Sequence, residues 1–213
     1  MKSRKFKVGF FTILLFVASC ASNPYKNVTV VFGPVMDDRI TLVSAFKDLS
    51  KGKLYKAKVE VLKNYLSGLL MIKEVKGSKR VIFTSETGLK FFDFEFAPDT
   101  FIVHYVLEQL DNKHVLNTLR EDIGTVVFHG VENAAIVQVK IKGEDALVHR
   151  TKDKEDWMYY YYQDERLNKI ERASDKKKKV IITFENYEED IPQLINIVHK
   201  DFKMNIELTY IKR

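Results

Sequence analysis

The sequence predicts an α+β fold, a strongly curved antiparallel sheet of about 10–11 strands that forms an unclosed half-barrel wrapping one or two helices. Three observations carry this expectation. Apolar and polar residues alternate with a period of two through most of the chain, the mark of strands with one wet face. A central segment switches to helical spacing. Short turn signals separate the alternating runs, and no stretch reads as an interdomain linker, so residues 28–213 are expected to form one domain.

The first alternating run is Tyr55 to Val61, in which Tyr55, Ala57, Val59 and Val61 fall on one face and Lys56, Lys58 and Glu60 on the other. Further strands are expected near 66–75, 79–86, 89–96, 100–107, 134–141, 146–150, 157–163, 168–173, 180–184, 193–199 and 204–210. Lys76-Gly77-Ser78, Thr87-Gly88, Ala97-Pro98-Asp99, Lys142-Gly143-Glu144 and Ser174-Asp175 mark the turns. Val115, Leu116, Leu119, Ile123 and Val126 recur at helical spacing, after Asp111 as N-cap and before Gly130. Residues 36–50 fit either a helix through Val43, Phe46 and Leu49 or a strand over Ile40–Val43. An apolar helical stripe has to lie against the sheet, and so many strands curl rather than stay flat.

The first residues read differently. Lys2, Arg4, Lys5 and Lys7 precede an apolar run from Val8 to Ala18, the charge-then-apolar order of an export signal. That run is about 11 residues, short of the roughly 20 that a helix needs to cross a bilayer. Val17-Ala18-Ser19-Cys20 resembles a lipobox, so residues 1–19 are expected to be removed and Cys20, the one cysteine, to carry a diacylglycerol and an acyl chain such as palmitate. Burial of roughly 0.8 kcal/mol per methylene would then tether the chain to a membrane without spanning it. Residues 20–27 become the lipidated tether. Ala21, with no acidic residue beside it, favours the outer membrane and its periplasmic face.

Composition and motifs narrow the chemistry. The net charge is +6, but four of those positive charges leave with the signal, which removes the basis for a nucleic-acid partner. His104, His114, His129, His149 and His199 show no metal-ligand spacing, and no nucleophile elbow, P-loop or dinucleotide fingerprint occurs. Neither a metal, a cofactor nor an enzymatic activity is expected. Asp93 and Glu95 alternate with phenylalanines and read as the wet face of a half-buried strand rather than an acid pair. Trp157 to Tyr162 puts aromatics on both faces of its strand, with packing within the sheet favoured over a partner contact. Lys176 to Lys179 reads as a soluble hairpin tip.

Several stretches carry a resemblance. Leu66-Ser67-Gly68-Leu69-Leu70-Met71-Ile72-Lys73, Arg80-Val81-Ile82-Phe83-Thr84, Gly88-Leu89-Lys90-Phe91-Phe92-Asp93-Phe94 and Ile191-Pro192-Gln193-Leu194-Ile195-Asn196-Ile197 resemble consecutive strands and the closing hairpin of the lipoprotein-localisation (LolA/LolB-like) family, a periplasmic lipoprotein carrier and its outer-membrane receptor. The resemblance covers roughly residues 54–211. It implies an unclosed barrel with a helical lid and a cavity for acyl chains of a lipid or lipoprotein. A carrier of this kind closes its lid with an arginine, which the motifs do not place here, and the Val75–Ser78 turn is polar where a receptor exposes an apolar loop.

The expected protein is thus an outer-membrane lipoprotein that binds an apolar ligand in lipoprotein or lipid trafficking, with Phe92, Phe94, Phe96, Leu119 and Ile123 lining the cavity. The alternative is a structural or accessory envelope lipoprotein that docks a protein partner through its sheet face. An unfilled apolar cavity separates the first from the second.

Overall fold

A computed structural model describes residues 28–30, 42–61, 64–131, 134–151, 156–201 and 203–212. The signal, Cys20 and its tether, and residues 36–41 of the ambiguous segment lie outside the described residues. Thirteen strands form: β1 (Val28–Val30), β2 (Lys53–Val61), β3 (Asn64–Val75), β4 (Ser78–Thr84), β5 (Lys90–Ala97), β6 (Thr100–Val106), β7 (Val137–Ile141), β8 (Glu144–Arg150), β9 (Trp157–Gln163), β10 (Arg166–Ala173), β11 (Lys178–Glu185), β12 (Leu194–His199) and β13 (Met204–Tyr210). About ten or eleven were expected. Each anticipated run forms its own strand, and β1 is added by pairing with β7, Val28 opposite Ile141.

All thirteen belong to one antiparallel sheet in the order β1-β7-β8-β9-β10-β11-β12-β13-β2-β3-β4-β5-β6. It is curved and unclosed, because β1 and β6 end the order without pairing to each other. Two meanders, β2–β6 and β7–β13, meet where β13 pairs with β2, Leu208 opposite Ala57. This topology dictates where the helix goes. β6 is one edge and β7 lies beside the other, so the connection between them has to travel across the sheet.

That connection carries helix α1 (Lys113–Val126). Its N-cap is Asn112, not Asp111. A 3-10 turn over Glu108–Leu110 uses the Asp111 amide, which bonds the Glu108 carbonyl, and the extended Asn112 then accepts the His114 N–H at 2.9 Å. Val115, Leu119, Ile123 and Val126 are buried in the same core as Val59, Leu70, Phe83, Phe92, Ile197 and Ile206 of the sheet. Residues 42–50 form neither the helix nor the strand considered for them. They run as an irregular segment that buries Ala45, Phe46 and Leu49, tied down where the Tyr162 hydroxyl donates to the Val43 carbonyl and accepts from its N–H.

The alternation in β2 is as expected, with Tyr55, Ala57, Val59 and Val61 buried and Lys56, Lys58 and Glu60 exposed. β9 is different: it buries both faces. Met158 and Tyr160 enter the main core, while Tyr159 and Tyr161 join a second cluster with Val139, Ile141, Ala146, Val148 and Ala173. The aromatic run therefore packs within the sheet.

Asp93 is a correction. It is 2 % exposed rather than wet, because Arg80 clamps it through Nε (2.8 Å) and Nη2 (3.0 Å) and Lys90 adds a third bond at 3.1 Å. Burial opposes its ionisation, but these cations hold the carboxyl below its usual range. Glu95 accepts a 2.7 Å hydrogen bond from His104 Nε2, so the two carboxylates serve separate partners. The lysine tip is also less free than expected: Lys178 bonds Glu171 and Lys179 bonds Asp156, at 2.7 and 2.6 Å.

Candidate functional site

The five side chains expected to line a cavity are all buried. Phe92, Phe94 and Phe96 follow one another along the inner face of β5, where Phe92 and Phe94 stack at 4.3 Å between centroids. Phe101 of β6 closes edge-on against Phe94 at 5.2 Å. From above, α1 brings Leu119 and Ile123 down onto the sheet.

Two apolar voids of about 10 Å³ each remain in this seam. One is bordered by Phe92, Leu119, Ile123, Val126, Ile72 and Ile206, the other by Phe92, Leu119, Val115, Phe83, Val61 and Met204. Each is about the size that one water needs, so the seam is nearly filled. The geometry brings together Phe92, Leu119 and Ile123. Phe94 and Phe96 lie apart from both voids, Phe96 under Gly124 and His129.

The edge of the seam is polar. Arg172 of β10 donates from Nη1 to Glu121 of α1 at 2.8 Å, and its Nη2 lies 3.7 Å from Asp122 Oδ1. Asp122, 1 % exposed, shares a 2.7 Å hydrogen bond with His199 Nε2 of β12. These groups were missed in the sequence. Each occupies an inward position: Asp122 falls on the stripe of Leu119 and Val126, His199 alternates with Ile195 and Ile197, and Arg172 with Ile170. A polar residue on an apolar face was the available signal.

His149 of β8 sits on the same inner face, stacked on Tyr160 at 5.5 Å, and its Nδ1 is buried without a hydrogen-bond partner among the described residues. Burial pushes its imidazole down to about 4. The folded state therefore holds it neutral while the unfolded chain binds a proton below about 6.5. Between these values the unfolded state binds more protons, so stability falls as pH drops through that window, by up to about 3 kcal/mol. Urea midpoints at about pH 7 and about pH 5 should differ by less in His149→Leu than in the parent; an equal difference would rule this histidine out as the cause.

The larger concave spaces are elsewhere. Two open clefts of about 830 Å³ each flank the β9–β10 turn and share Tyr162, Asp164, Arg166 and Tyr187. Their charged walls do not suit an acyl chain, and none of the five expected side chains reaches them. Among the described residues no three His, Cys, Asp or Glu side chains are grouped to hold a metal ion, and no helix is long and apolar enough to cross a membrane. No protein-family model matches the chain, and no curated protein matches it.

Proposed function

We propose that the chain is a lipid-anchored outer-membrane protein whose half-barrel, wrapped around α1, receives an acyl chain of a lipid or lipoprotein in the seam beneath the helix. The observation that carries this reading is the construction of the seam: apolar side chains around two small apolar voids, with the polar contacts Arg172–Glu121 and His199–Asp122 beside them. Around the voids such an interface parts between apolar side chains, and it offers an acyl chain the surface that α1 otherwise covers. The described state is the closed one, with α1 in the ligand's place. The Arg172–Glu121 pair supports the family resemblance, since it joins the helix to the sheet as a lid-closing arginine would.

Docking of a protein partner is the second reading. It is favoured by the near-filled seam and by Ile102, Val103 and Tyr105, which are exposed along the edge strand β6.

Two experiments test the proposal. Metabolic labelling with palmitate should mark the protein and fail to mark Cys20→Ser; equal labelling would remove the lipid anchor from the account. Native mass spectrometry of the chain from residue 20, carrying Cys20→Ser, should show an additional mass of one acyl lipid after incubation with a lipid extract. A bare mass alone would favour docking.

A further inference from the structure

The contacts of Arg172 go further than its pairing with α1. An arginine presents Nε and Nη2 as a side-on fork that matches the two oxygens of a carboxylate. Arg80 uses its fork in this way, on Asp93 at 2.8 and 3.0 Å. In Arg172 the same fork makes no such bond: among the described residues Nε is buried without an acceptor, and Nη2 is 3.7 Å from Asp122 Oδ1, which itself has no hydrogen-bond partner among them. The side chain is only 14 % exposed, so the unmatched Nε lies inside the fold, where most such groups are satisfied.

Its position matters as much as its geometry. Glu121 and Asp122 stand on α1 between Leu119 and Ile123, two of the helical side chains that border the apolar voids. A ligand with a carboxylate at one end and a hydrocarbon chain behind it would meet the fork and the seam together.

We infer that Arg172 is a head-group anchor, and that the ligand is an acyl chain ending in a carboxylate, a free fatty acid. This rests on the proposed function, which it narrows to one class of lipid. The ligand carboxylate takes the Nε side of Arg172 and draws the guanidinium away from Glu121, which holds it at Nη1. That side chain is 27 % exposed and can turn to water, whereas Asp122 stays buried on His199. The exchange leaves the number of carboxylates at Arg172 unchanged, and it releases the Arg172–Glu121 tie between α1 and the sheet while His199–Asp122 stays in place. Head-group binding thereby loosens the helix that covers the site for the tail.

The test uses the chain from residue 20 with Cys20→Ser and follows displacement of Nile red by dodecanoic acid, dodecan-1-ol and acetate. The acid should displace the dye about tenfold more tightly than the alcohol, a difference of about 1.4 kcal/mol, and acetate should not displace it. Arg172→Met should erase the acid's advantage over the alcohol. Should that variant fail to fold, Glu121→Gln decides: removing the competing carboxylate should tighten the acid severalfold and by more than it tightens the alcohol. Equal displacement by acid and alcohol, or an unchanged or weaker acid in Glu121→Gln, overturns the head-group assignment while the acyl-binding reading stands. If neither amphiphile displaces the dye, the acyl-binding reading itself fails.

Discussion

Leu119→Asp should destabilise the fold by about 4 kcal/mol, one of the largest effects available to a single substitution in this chain. Leu119 is 2 % exposed and borders both voids in the seam. An aspartate there would either bury an unpaired charge against Phe92 and Val59 or drive α1 off the sheet. Asn117→Asp, on the exposed side of the same helix, should change stability by no more than about 0.5 kcal/mol. Urea denaturation of the two variants compares them directly. Matching midpoints would mean that α1 does not cover the core.

Gly68→Ala should cost about 3 kcal/mol for a different reason, the approach of two backbones. A methyl group on Gly68 would lie 1.9 Å from the Thr84 carbonyl oxygen and 2.8 Å from the Ser85 Cα. Neither is the end of a flexible side chain that could move away. Leu69 pairs with Thr84 and the register shifts between Phe83 and Thr84, so the close passage of β3 over the end of β4 is built into the sheet and requires a residue without a Cβ. Gly77→Ala is the comparison: its Cβ would meet nothing within 4 Å, although its φ of 81° imposes a backbone cost of about 1 kcal/mol. A thermal melt in which Gly68→Ala is no worse than Gly77→Ala would contradict the close passage.

Most of the sheet was legible because a two-residue period survives wherever one face is wet. β2 and β13 are the clearest cases, and the anticipated ranges match them closely. Asp93 was misjudged for a definable reason. Periodicity assigns a residue to a face but does not say whether long side chains will close over that face, as Arg80 and Lys90 do. β9 escaped assignment to one wet face because both of its faces are covered. The helix was visible from its stripe, while its cap depended on a 3-10 turn that no spacing rule announces. Of the site, the apolar members were legible from period alone. The polar edge was not, since Arg172, Asp122 and His199 come from three distant segments and meet only when β10 and β12 pass beneath α1.

The most direct measurement of the central claim is a fluorescence titration of the chain from residue 20, carrying Cys20→Ser, with cis-parinaric acid. Leu119→Phe, which places added bulk where both voids meet the helix, serves as the control, with its thermal melt confirming that it remains folded. Saturable uptake at one site, weakened in Leu119→Phe, is the expected result. Uptake that never saturates, or that is the same in both proteins, would contradict an acyl site beneath α1.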